Sequence, residues 1–137
     1  MGFDSGQRYF KQYLASGTHI MADCQGIEAK LLNDGELLKN ILVEGLKITG
    51  ASILDLRVKA FKPSGVTVFA LLAESHASIH TYPGLGVAML DIFTCGKINS
   101  KLGMQKILNR LKPTQSFIKV INRNLTEEDQ GNDILCL

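Results

Sequence analysis

Reactive side chains crowd one stretch of this chain. Glu74, Ser75, His76, Ser78, His80, Thr81, Asp91, Thr94 and Cys95 fall within 22 positions, and two of the three histidines are among them. Three chemistries suit such a set. A hydrolase would use Ser75 or Cys95 as nucleophile with His80 and Asp91 behind it, although Ser75 lies between Glu74 and His76 rather than in a Gly-x-Ser-x-Gly elbow. A metal site would draw on His76, His80 and Asp91, at a spacing with no metal-specific pattern. The third is self-cleavage at a serine to leave a covalent carbonyl group. Only the third explains why Glu-Ser-His, His80 and Cys95 occur together. Histidines four apart on a strand share a face, and most such pairs simply satisfy each other's surroundings with hydrogen bonds.

These residues need elements to hold them. His19–Cys24 reads as a short strand. Ile27–Leu32 and Glu36–Leu46 carry apolar residues at helical spacing, with Asn33 or Asp34 as N-cap and Gly45 and Gly50 bracketing the end. Ala51–Phe61 alternates, Lys62-Pro63-Ser64-Gly65 is a turn, and Val66–Ala73 is an apolar, β-branched strand. His76–Tyr82 alternates again, Pro83-Gly84-Leu85-Gly86 turns, and Val87–Phe93 is a further strand. A helix over Ser100–Leu111, a break at Pro113 and a strand over Ser116–Ile121 complete the order β-α-β-β-β-β-α-β. The central connections are too short for helical crossovers, so the strands pair antiparallel. The expectation is an α+β fold: a two-layer sandwich, mainly antiparallel sheet, covered on one face by two helices. Residues 1–16 read as an arm with a helical turn near Tyr9–Leu14, 17–122 as a single domain, and 123–137 as a polar tail.

Composition narrows the function. The chain has 137 residues, 45% hydrophobic and 20% charged, with a net charge of +2. That balance argues against nucleic-acid binding. No apolar run approaches the roughly 18–20 residues of a membrane span, and the first residues lack a signal-peptide core. Cys24, Cys95 and Cys136 are too scattered for a disulfide framework and lack CxxC spacing, so free thiols in a cytoplasmic setting and no structural metal are expected.

The stretch AESHASIHTYPGLGVAMLDIFTCG, residues 73–96, resembles the active-site region of prokaryotic S-adenosylmethionine decarboxylases, which show ESH, then S/T-I-H-T-W/Y-P-E, then D-x-F-T-C-G. The likeness extends to Phe61-Lys62-Pro63-Ser64-Gly65-Val66-Thr67 and to Gly17-Thr18-His19. It implies a self-processing, pyruvoyl-dependent decarboxylase serving spermidine and other polyamine synthesis. The precursor would cut itself between Glu74 and Ser75 into a β chain, 1–74, and an α chain, 75–137. Ser75 Oγ would attack the Glu74 carbonyl, His80 would take the Cα proton of residue 75, and Ser75 would become the pyruvoyl group that forms a Schiff base with substrate. Thr67 would assist processing, and Cys95 would protonate the substrate carbon. The resemblance also implies Phe61 as the ring on which adenine stacks, and a homodimer of processed protomers.

One position departs from the pattern. Where relatives that use S-adenosylmethionine have a glutamate for the two ribose hydroxyls, this chain has Gly84. Glycine supplies none of those charge-assisted bonds, though it suits a type II turn after Pro83. The alternative reading keeps the pyruvoyl chemistry and changes the substrate to L-ornithine or L-arginine, with Asp23 or Asp91 facing the cationic tail. An alternative of another class is an unprocessed regulatory paralogue.

Overall fold

The computed structural model describes residues 15–96 and 98–124. The expected arm and tail, with the helical turn near Tyr9–Leu14, lie almost wholly outside them. Six strands form one sheet: β1 (Gly17–Gln25), β2 (Ile53–Ala60), β3 (Val66–Leu72), β4 (Ser75–Tyr82), β5 (Val87–Thr94) and β6 (Gln115–Arg123). Their order is β2-β3-β4-β5-β1-β6, and every pair is antiparallel. Helices α1 (Ala29–Leu32), α2 (Gly35–Thr49) and α3 (Ser100–Leu111) lie against one face. None is long and apolar enough to cross a membrane. The α+β expectation therefore holds, strand for strand.

Alternation decides which face is covered. Ile20, Ala22 and Cys24 of β1, Val66, Val68, Ala70 and Leu72 of β3, Ala77 and Ile79 of β4, and Ala88, Leu90 and Ile92 of β5 all point inward. They meet Leu38, Ile41, Leu42 and Leu46 of α2 and Met104, Ile107 and Leu111 of α3. The opposite parity leaves Phe69, Leu71, Met89, Phe117 and Ile121 exposed on the open face. Helix starts follow cap chemistry: Asp34 accepts from the Leu37 amide at 3.0 Å and Asn99 from the Leu102 amide at 3.2 Å.

Three local expectations are corrected. The first helix begins at Ala29, because the Ile27 amide instead donates to the Gly86 carbonyl. The second runs on to Thr49, so Gly45 lies inside it and Gly50 alone caps it, at φ +83°. The turn after Tyr82 is a short 3-10 helix, Pro83–Leu85, in which Gly86 takes the left-handed conformation at φ +66°. Gly84 has no positive φ, and a Cβ there would meet nothing within 4 Å. No type II turn, and no steric demand, explains that glycine.

Gly45 has a packing reason. Where α2 meets α3, a Cβ on Gly103 would lie 2.8 Å from the Gly45 carbonyl oxygen, and one on Gly45 would lie 2.9 Å from that of Gly103. Backbone cannot yield as a side chain can, so Gly103→Ala should cost about 1–3 kcal/mol, read as a lower denaturant midpoint with unchanged slope. Cys24 is 2% exposed, and burial raises its thiol pKa, with Asp23 adding to the rise and a Ser116 hydrogen bond opposing it. The raised pKa disfavours the reactive thiolate. Iodoacetamide at neutral pH should therefore leave Cys24 unmodified until denaturant is added, as peptide mass mapping would show.

Candidate active site

The hairpin joining β3 to β4 has a two-residue turn, Ala73–Glu74, closing on the pair Leu72 and Ser75. Such turns prefer glycine or asparagine wherever φ is positive. Here Glu74 stands at φ +76°, a conformation that costs a residue with a Cβ about 1–3 kcal/mol. The strain falls on the residue whose carbonyl precedes Ser75. Ser75 Oγ donates to that carbonyl oxygen at 2.5 Å. Attack by Oγ on the same carbonyl carbon closes a five-membered ring, so the nucleophile is delivered by its own backbone. Cys95, just past the end of β5, places Sγ 3.7 Å from Ser75 Oγ and 3.7 Å from the Glu74 oxygen.

A second group lies at the other end of the same hairpin. Thr67 and His80 are cross-strand partners, and Thr67 Oγ1 lies 2.6 Å from His80 Nδ1. Tyr82 packs edge-on to the His80 ring at 4.7 Å and Phe61 at 6.0 Å. Phe61 is 43% exposed and outside the core, so packing alone does not account for it. Thr81, by contrast, is buried: its hydroxyl donates to the Leu32 carbonyl at 2.8 Å and accepts from the Val66 amide at 2.9 Å.

His80 is not beside Ser75 within one chain. Five residues at about 3.3 Å each separate them by about 16 Å along β4, and an odd separation sets them on opposite faces. A single-chain triad of Ser75, His80 and Asp91 is therefore not formed, nor is a metal set of His76, His80 and Asp91. Asp91 is surrounded differently. His19 Nε2 lies 2.8 Å from Asp91 Oδ2, His76 Nε2 lies 3.7 Å from the same oxygen, and Ser78 Oγ donates to Oδ1. The ligand atoms of His19, His76 and Asp91 lie within 4.8 Å of one another. They could hold a divalent ion, yet both Asp91 oxygens already take hydrogen bonds, Oδ1 from Ser78 and Oδ2 with His19, while His76 stands 3.7 Å away. Sequence reasoning gave His19 no role. It is 72 positions from Asp91, and only the β1–β5 register, with His19 opposite Phe93, brings the two together.

The strained turn with its hydroxyl on the preceding carbonyl fits a chain that makes a carbonyl group from Ser75. Comparison with known proteins gives the family. The family model for S-adenosylmethionine decarboxylase matches residues 18–124. An S-adenosylmethionine decarboxylase proenzyme of Brevibacillus brevis is 40% identical over 117 residues, covering 85% of this chain and 88% of that protein. One from Methanococcus maripaludis is 36% identical over 115 residues, covering 83% and 94%. The crystal structure of the adenosylmethionine decarboxylase from Aquifex aeolicus superposes with a TM-score of 0.74 at 33% identity, over 85% of this chain and 97% of that one. A match this long in sequence and in three dimensions means that the chain belongs to the S-adenosylmethionine decarboxylase family, whose members are pyruvoyl-dependent carboxy-lyases made as self-cleaving proenzymes.

Proposed function

We propose that this chain is a proenzyme that cuts itself between Glu74 and Ser75 and then decarboxylates S-adenosylmethionine, supplying the aminopropyl donor of spermidine synthesis. The observation that carries the reading is the positive φ of Glu74 with Ser75 Oγ at 2.5 Å from its carbonyl oxygen. Oγ attacks the Glu74 carbonyl carbon, the amide becomes an ester, and the left-handed turn relaxes. Removal of the Cα proton of residue 75 then expels the Glu74 carboxylate, ending the β chain at residue 74. The dehydroalanine left at residue 75 loses ammonia to water and becomes the pyruvoyl group. A strained peptide has no use in a chain that stays whole, which disfavours the regulatory paralogue. The ornithine and arginine alternative finds no support, since the relatives named above are S-adenosylmethionine decarboxylases.

The pyruvoyl carbonyl supplies the electron sink for the decarboxylated substrate. The chain's own residues do the rest. Cys95 Sγ, 3.7 Å from Ser75 Oγ, carries the proton for the substrate carbon. Phe61 offers an exposed ring for adenine. His80, its Nδ1 2.6 Å from Thr67 Oγ1, acts as the base through Nε2 when Nδ1 carries the ring proton. That base must come from a second copy, because its own strand carries it about 16 Å from Ser75. The uncovered sheet face, with Phe69, Leu71, Met89, Phe117 and Ile121 exposed, is the surface such a copy would cover. A two-fold pairing sets the His80 end of one sheet against the turn end of the other, where Ser75, the half-buried first residue of β4, is reached from beyond the strand's end. Free thiols at Cys24 and Cys95 fit a cytoplasmic enzyme.

Two experiments test this reading. Ser75→Ala and His80→Ala chains should each stay whole when expressed alone. Co-expressed, they should yield cleavage of the His80→Ala chain only. Cleavage of His80→Ala by itself would remove His80 from processing. For substrate recognition, Gly84→Glu has room for its side chain. It should lower the KM for S-adenosylmethionine about 10-fold, as one charge-assisted bond pair would. An unchanged KM would show that the ribose is held without a carboxylate here.

A further inference from the structure

Asp91 is the centre of a polar cluster that the processing chemistry above does not use. Its two oxygens are occupied from different directions. Oδ1 accepts from Ser78 Oγ, and Oδ2 meets His19 Nε2 at 2.8 Å and His76 Nε2 at 3.7 Å. Aromatic rings flank His76, which stays partly exposed. Its ring stacks on Phe69 at 6.0 Å with the planes 15° apart, and meets Phe93 at 5.6 Å and the His19 edge at 6.1 Å. The cluster draws on β1, β4 and β5, with Phe69 from β3 as a wall.

His76 is bonded directly to residue 75. A strained backbone persists only when its surroundings over-determine it. On the upstream side of Glu74, Leu72 is fixed by its place in the core and by pairing with both β2 and β4. Downstream, Ser75 is the first residue of β4, so the next side chain that anchors the turn is that of His76. Cleavage makes the demand sharper. Residue 75 then loses its tether to Glu74 and, as a pyruvoyl group, its own backbone nitrogen. His76 becomes the last fixed point before the reacting carbonyl.

We propose that Asp91 is a positioning residue for position 75: by holding His76, together with His19 and Ser78, it keeps the Glu74–Ser75 peptide in its reactive form and residue 75 facing Cys95. This rests on the self-cleavage reading. It requires no metal, since the carboxylate itself links the two histidines.

The test follows cleavage of newly translated chain by gel electrophoresis, with and without hydroxylamine, beside a melting curve for each variant. Hydroxylamine cuts an ester but not an amide, so it reports whether the first step has occurred. Asp91→Asn keeps the size and can accept from Ser78, but it cannot bear the negative charge that faces both histidines. It should melt near wild type and cleave about 10-fold more slowly or worse, the scale on which sub-ångström misplacement acts. Hydroxylamine should not restore the rate, because the slowed step is ester formation. Asp91→Glu should recover part of it. Should Asp91→Asn fail to fold, Ser78→Ala and His19→Gln decide the matter with the same expectation of slower cleavage at unchanged melting temperature. Wild-type cleavage rates in all of these variants would overturn the proposal, as would full rescue by hydroxylamine. A wild-type chain slowed by EDTA would also overturn it, by showing that the three residues act through an ion. A wild-type chain that never cuts would instead overturn the self-cleavage reading.

Discussion

A glutamate held at φ +76° in a two-residue turn is the feature on which the rest of this molecule depends. Left free, the backbone would relax by about 1–3 kcal/mol into an ordinary conformation. It is kept there by two strands that cannot shift. Val66, Val68, Ala70 and Leu72 of β3 and Ala77 and Ile79 of β4 are buried beneath the helices, and a slip of one residue would send every one of them to the wrong face. Core packing thus holds a strained peptide in place, at the bond proposed to break.

The same alternation that builds the core exposes the chemistry. Because one face of the sheet is covered and the other is not, His76, Ser78 and His80 of β4 and Asp91 of β5 share the open face with Phe69, Leu71 and Met89, while Thr81 and Thr94 are buried beneath the helices. Thr67 and His80 gather at one end of the hairpin, and Ser75 and Cys95 at the other. Each half lacks what the other has. The open face and the separation of His80 from Ser75 are two results of one architecture, and the proposed pairing of two copies addresses both.

Much of this was legible in the sequence. The Ser100–Leu111 helix and the order of strands follow from periodicity and turn residues, and the turn at Lys62–Gly65 closes with the Phe61 amide on the Gly65 carbonyl at 2.8 Å. The family motif pointed to Glu74, Ser75 and Cys95 as one unit, and they are adjacent. Parity alone would have separated His80 from Ser75, since 75 and 80 differ by an odd number, but a motif read as a string hides the face each residue takes. His19 could not be found locally, because its contact with Asp91 spans 72 positions and is made by strand pairing. Gly84 was misread for a simpler reason. Pro-Gly fits several turns, and here Gly86, held by the Ile27 amide on its carbonyl, takes the left-handed conformation instead.

The most direct measurement is the intact mass of the purified protein under denaturing conditions. Two fragments are expected, one ending at Glu74 and one beginning at residue 75 with the mass of a pyruvoyl group in place of serine. A single chain with the mass of the uncut sequence, stable on storage, would contradict the account.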